Sequence, residues 1–212
     1  MLSGEQVSSQ ELFEYGIADQ GVFHGNLQGM AKVLSKHDIP VMISESLSEG
    51  TVATTMTDED GNSVIMINPD WINTVSKSRQ GEILVHEMIH AITANALNAP
   101  KTATEERFKK KTYKVFSQLK NAVREEDWHL FDVYGGLYAL CDVHEFVSEF
   151  ISNPIARSNL YALAKEIDDK SARGAMSRLK HFVNALFKLF VNKNLFSEQL
   201  TTDRLRTYEQ YL

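Results

Sequence analysis

The chain has almost no cysteine: Cys141 stands alone in 212 residues. One thiol closes no internal disulfide, which excludes a disulfide-stapled secreted fold. Without cysteine pairs there is no zinc-ribbon site either, so any metal must sit on histidine and carboxylate ligands. Positive charge is also short, with 22 Lys and Arg against 28 Asp and Glu, a net −6. Nucleic acid is therefore not the expected partner, because phosphate binding needs a basic footprint. No stretch reaches the roughly 18 uninterrupted apolar residues that mark a membrane-spanning helix. The opening MLSGEQVSSQELFEYGIADQ is polar and acidic, without the basic start and apolar run of a signal peptide. The chain reads as cytoplasmic, with no membrane partner, or as carried inside a larger assembly.

Internal repeats and low-complexity linkers are missing too. What is present is an ordinary globular balance, 43% hydrophobic and 24% charged, enough for one domain over 1–212. Leu27, Met30, Ala31, Val33 and Leu34 fall at helical spacing and predict a helix ending near His37. Pro40 to Ile43 reads as a short strand. Thr51 to Thr57 is rich in β-branched residues, Asp58-Glu59-Asp60-Gly61-Asn62 is a turn signal, and Ser63 to Asn68 is a further strand, which together predict a hairpin. Asn68-Pro69-Asp70 breaks it. From Glu82 onward the pattern is helical: 82 to 97, then roughly 104 to 126, then 140 to a stop at Ser152-Asn153-Pro154, then a helical remainder. Strands first and helices afterwards is an α+β order. The expected core spans about residues 40–154, with 155–212 a helical extension.

His86-Glu87-Met88-Ile89-His90 is H-E-x-x-H within the helix predicted over 82–97. Residues four apart share a helix face, so two imidazoles can converge on one metal ion. The intervening Glu is offset by about 100°, which puts its carboxylate beside the open coordination position. Zinc lowers the pKa of bound water to about 7, and Glu87 can take that proton and later deliver it to a leaving amine. The plainer alternative is a pair of core histidines satisfied by hydrogen bonds.

The third ligand decides the subclass. A metzincin would continue with Gly and His where this chain has Thr93 and Ala96. A better candidate lies in DVHEFVSEF, residues 142–150. There Val143, Phe146, Val147, Phe150 and Ile151 make an apolar stripe, and Asp142, Glu145 and Glu149 share one shoulder of it. A carboxylate beside a core face can reach a buried metal. Glu145 is the expected ligand. Glu149, one turn on, would hold a zinc-binding imidazole by its free ring N–H, or would exchange roles with Glu145. Asp142 is an outside candidate and His144, about 100° from Glu145, a weaker one.

The pattern resembles the gluzincin branch of zincin metallopeptidases, in which a later helix supplies a Glu ligand followed four residues on by another acidic residue. Glu145 and Glu149 match that pair, with Glu in place of the more familiar Asp. More narrowly, VHEMIHAIT with HEFVSEFISNP is similar to small peptidase-like domains of phage and mobile-element polyvalent proteins. The resemblance covers about twenty residues in two blocks. It implies a zincin-like fold, with the small sheet packed on the H-E-x-x-H helix. It also implies a Zn2+ cofactor, a protein or peptide substrate, and membership of a larger polypeptide or virion assembly. Strand 63–68 would then line the cleft and accept an extended substrate on its edge. Tyr134 or His129 would be available to stabilise the oxyanion. The rival reading is a zinc-binding zincin-fold interaction module without turnover.

Two further features tempt. Arg107 to Lys114 interleaves basic and aromatic residues, but Phe108, Val115 and Leu119 can face inward, which makes the lysines a solvated face. The apolar run around Phe182, Leu186, Phe187 and Phe190 is expected to be core or a docking face.

Overall fold

A computed structural model of the chain describes residues 6–18, 22, 26–34, 36–127, 136–171 and 174–192. Tyr134 and His129 lie outside the described residues. The chain divides into two compact units, Met1–Asn95 and Ala96–Leu212. The architecture is α+β, and the strands lie in the first unit.

In that unit β1 (Gln6–Ser8), β2 (Pro40–Ile43), β3 (Ala53–Thr57) and β4 (Ser63–Ile67) form one sheet in the order β1-β2-β4-β3. The expected hairpin is β3 with β4, antiparallel, with Thr55 opposite Ile65. Its turn is closed by Asp58: the Gly61 N–H donates to the Asp58 carbonyl, and the Asn62 N–H donates to Asp58 Oδ1 at 2.7 Å. Gly61 sits at φ 89°, a left-handed conformation that glycine adopts without a Cβ penalty. The Asn62 hydrogen bonds hold the Asp58 carboxyl below its usual range. β2 runs parallel to β4, with Val41 opposite Ile65.

The alternation of side chains across the sheet separates two faces. Val41, Ile65 and Ile67 point to the interior and are 1%, 1% and 4% exposed. Met42 and Met66, paired across β2 and β4, lie on the opposite face with Met56 and Val64, and there Met42 is 39% and Met56 56% exposed.

β1 and α1 (Ser9–Ala18) are elements that sequence periodicity did not signal. Buried Ser9 fixes their junction: its hydroxyl donates to the His37 carbonyl at 2.6 Å and accepts from the Ile39 N–H at 2.9 Å. The helix expected to end near His37 is α2 (Asn26–Leu34). Asn68 terminates β4 and caps the one-turn α3 (Pro69–Ile72) by accepting from the Asp70 N–H. α4 (Lys77–Asn98) follows.

One expectation is overturned by the strand order. β4, residues 63–67, has β2 on one side and β3 on the other, so it has no free edge for a substrate strand. The edges of the sheet are β1 and β3, and β3 is the one beside β4.

The second unit is helical. α5 (Ala103–Lys120) starts at a capping box, Thr102 with Glu105, and ends at Asn121, short of the expected 126. A short 3-10 helix (Tyr138–Leu140) precedes α6 (Val143–Ser152), and α7 (Pro154–Ser171) and α8 (Ala175–Asn192) complete the unit. α8 packs along α5. Phe146, Phe150 and Phe182 form the aromatic centre, with Phe182 5.0 Å from Phe146 and 5.3 Å from Phe150 between ring centroids. Phe182, Leu186, Phe187 and Phe190 are all buried, so the apolar C-terminal stretch is core. Phe108, Val115 and Leu119 are fully buried on α5, which leaves Lys110 and Lys114 on its exposed side. Among the described residues no helix is long and apolar enough to cross a membrane.

Candidate metal centre

α4 carries the H-E-x-x-H motif. Ser76 opens it, accepting the Arg79 N–H on its hydroxyl, and Pro100 lies just past its end. Val85, Met88 and Ile89 are wholly buried, with Leu84 and Ile92 nearly so. The apolar residues surround the motif and anchor its turns in the core. His86 and His90 lie on the half-buried flank.

Spacing of four brings the two imidazoles together. Their Nε2 atoms are 2.9 Å apart, and the rings meet edge to face at 68° with centroids 4.6 Å apart. Each neutral imidazole offers one ring lone pair, so both Nε2 atoms can be donors to one cation. Two nitrogens at about 2.0–2.1 Å from a tetrahedral ion stand about 3.3 Å apart. The observed pair therefore fits a shared divalent cation within a few tenths of an ångström. Nitrogen donors of this kind suit zinc.

Glu87 is 7% exposed. Its Oε2 accepts a hydrogen bond from Thr55 Oγ1 at 2.8 Å, and Thr55 Oγ1 is also 2.9 Å from the Glu87 backbone oxygen. The hairpin grips the same helix at two further points. Asn95 Nδ2 donates to the Gly61 carbonyl at 2.6 Å, and the Ser63 hydroxyl to the Ala91 carbonyl at 3.4 Å. The β3–β4 hairpin is thus registered against the motif by side-chain bonds to the helix, with the edge strand at Glu87.

The acidic residues of 142–149 belong to the second unit. Asp142 is the N-cap of α6: its Oδ1 accepts from the His144 and Glu145 N–H groups at 2.7 and 3.0 Å. That oxygen is committed to the helix terminus. His144 Nε2 lies 3.1 Å from Asn98 Oδ1. Glu145 is half-buried and hydrogen-bonded to the Tyr138 side chain. Burial first, then the negative charge of Glu145, pushes the Tyr138 hydroxyl above its usual range, so it stays a proton donor to that carboxylate. Glu149 is 8% exposed and its Oε2 accepts from Asn153 Nδ2 at 2.8 Å. Asn153 is itself fixed, because its Oδ1 caps α7 through the Ile155 and Ala156 N–H groups.

No family model, curated protein or solved structure matches the chain. The functional reading therefore rests on these residues.

Two residues of the site carried no recognisable signal. Thr55 is one of several β-branched residues in its strand, and only the fold brings its hydroxyl to Glu87. Tyr138 precedes Glu145 by seven residues, across a change from 3-10 helix to α-helix.

Proposed function

We propose that the chain is a zinc-dependent peptidase of the zincin type, in which His86, His90 and Glu145 hold the metal and Glu87 serves as general base and acid. The observation that carries this reading is the convergence of the two imidazole Nε2 atoms to 2.9 Å on a helix that also presents a buried carboxylate. A zinc ion bound there would polarise the scissile carbonyl and acidify a water molecule to a pKa of about 7. Glu87 takes the proton of the attacking water and passes it to the amine nitrogen as the peptide C–N bond breaks. Tyr138 orients Glu145 by donating to its carboxylate. Glu149, already held by Asn153, supports an imidazole through its free ring N–H, and an exchange of roles with Glu145 is the variant of this assignment. A peptide substrate would add along β3, whose outer edge pairs with no strand among the described residues.

The test is a zinc determination on purified protein together with hydrolysis of an unstructured protein substrate by wild type and Glu87→Gln. The expected result is one zinc per chain in both proteins, with turnover about 10²–10⁴-fold lower in the variant. Metal-free wild type, or a variant as active as wild type, overturns the reading.

A further inference from the structure

A hydroxyl carries one hydrogen and two lone pairs. Thr55 Oγ1 nevertheless stands 2.8 Å from Glu87 Oε2 and 2.9 Å from the Glu87 backbone oxygen. It can donate to only one of these acceptors at a time. We propose that Thr55 is a positioning residue that fixes the Glu87 carboxyl group relative to its own backbone, because one hydroxyl lies within hydrogen-bond distance of both.

One atom makes both contacts. Thr55 Oγ1 reaches the side-chain oxygen and the backbone oxygen of the same residue, so it ties the Glu87 side chain to one orientation on its helix. A main-chain carbonyl on the same residue supplies the second acceptor, so the two acceptors stay in fixed register. Thr55 also lies in the edge strand, two residues from its C-terminal end at Thr57. The strand that would receive the substrate is thereby tied to the group that serves it.

The inference rests on the proposed peptidase reading, and the test separates the two. Thr55→Val removes the hydroxyl and keeps the β-branched shape, whereas Thr55→Ser keeps the hydroxyl. In the zinc-loaded enzyme, Thr55→Val should lower kcat about 10- to 100-fold, as small misplacements of reacting groups do. KM and zinc content should stay at wild-type values, and Thr55→Ser should recover most of the lost kcat. In the metal-free protein, the Glu87 side-chain carboxyl carbon resonance should move in Thr55→Val and return in Thr55→Ser. Wild-type kcat in Thr55→Val, or failure of Thr55→Ser to recover it, overturns the positioning role. A carboxyl resonance indifferent to Thr55→Val overturns the contact itself, and that measurement decides even where wild type proves to hydrolyse nothing.

Discussion

His86 and His90 present their Nε2 atoms to each other at 2.9 Å across one turn of α4. Two such nitrogens are satisfied by one shared hydrogen or by one shared cation. On the proposed reading the cation is bound by the folded chain alone, so zinc should raise thermal stability. At free zinc about 100 times the dissociation constant the gain is about 2.7 kcal/mol. Differential scanning calorimetry with zinc and with a chelator measures it. The shift should vanish in His90→Ala, and an identical melting temperature for wild type under both conditions would remove zinc from the account.

Tyr138 offers a finer probe of the same centre. Tyr138→Phe deletes only the hydroxyl that reaches Glu145. On the proposed reading Glu145 is a zinc ligand, and loss of a hydrogen bond to such a carboxylate costs about 10- to 100-fold in metal affinity. Competition with a chromophoric chelator should show a drop of that size with an unchanged circular dichroism spectrum. Unaltered affinity would detach Glu145 from the metal.

Gly61 is required at its position for two separable reasons. Its φ of 89° strains any L side chain, and an added Cβ would run into the Asn95 amide that binds its carbonyl. Gly50 has a comparable φ of 83° with nothing within 4 Å of an added Cβ. Gly50→Ala should therefore cost only the left-handed penalty, about 1–2 kcal/mol. Gly61→Ala should cost more. Urea unfolding of both proteins gives the difference, which reports the hairpin's grip on α4. Equal losses would show that the Asn95 approach carries no weight.

Cys141 is expected to be chemically quiet. Burial, followed by the charges of Asp142 and Glu145, pushes its thiol up to about 12. The reactive species is the thiolate, the minor form below that value. At pH 8 its alkylation by iodoacetamide should be about 10³-fold slower than that of an ordinary thiol titrating near 9, and the two rates should converge once the chain is unfolded in urea. Rapid labelling of the native protein would contradict this environment.

Much of this was legible in local patterns. The H-E-x-x-H helix announced itself through its apolar neighbours, and the hairpin through a β-branched run, an Asp-Gly-Asn turn and a second apolar run. Both are signals carried within about twenty residues. The strand order was not legible. β2 pairs parallel to β4 across a gap that contains β3, and β1 joins from the far N-terminal side. Such pairings are decided by long-range burial, and three residues of β1 are too few to show a period. That is why the strand at 63–67 was expected at the edge and is found in the middle. The same limit hid Thr55, whose importance comes from a helix 32 positions later. α6 begins later than expected because the Asp142 side chain caps it, and a capping side chain overrides apolar periodicity at a helix start.

The outward face of the sheet, with Met42, Met56 and Met66, has a chemical consequence. Thioethers in contact with solvent take oxygen from peroxide and become polar sulfoxides. Met56 and Met42 should be modified first, and Met88, fully buried between the two motif histidines in sequence, last. Peptide mass mapping after graded peroxide treatment would show that sequence of events. The sheet would lose its greasy exterior to oxidants well before damage reached the centre of α4.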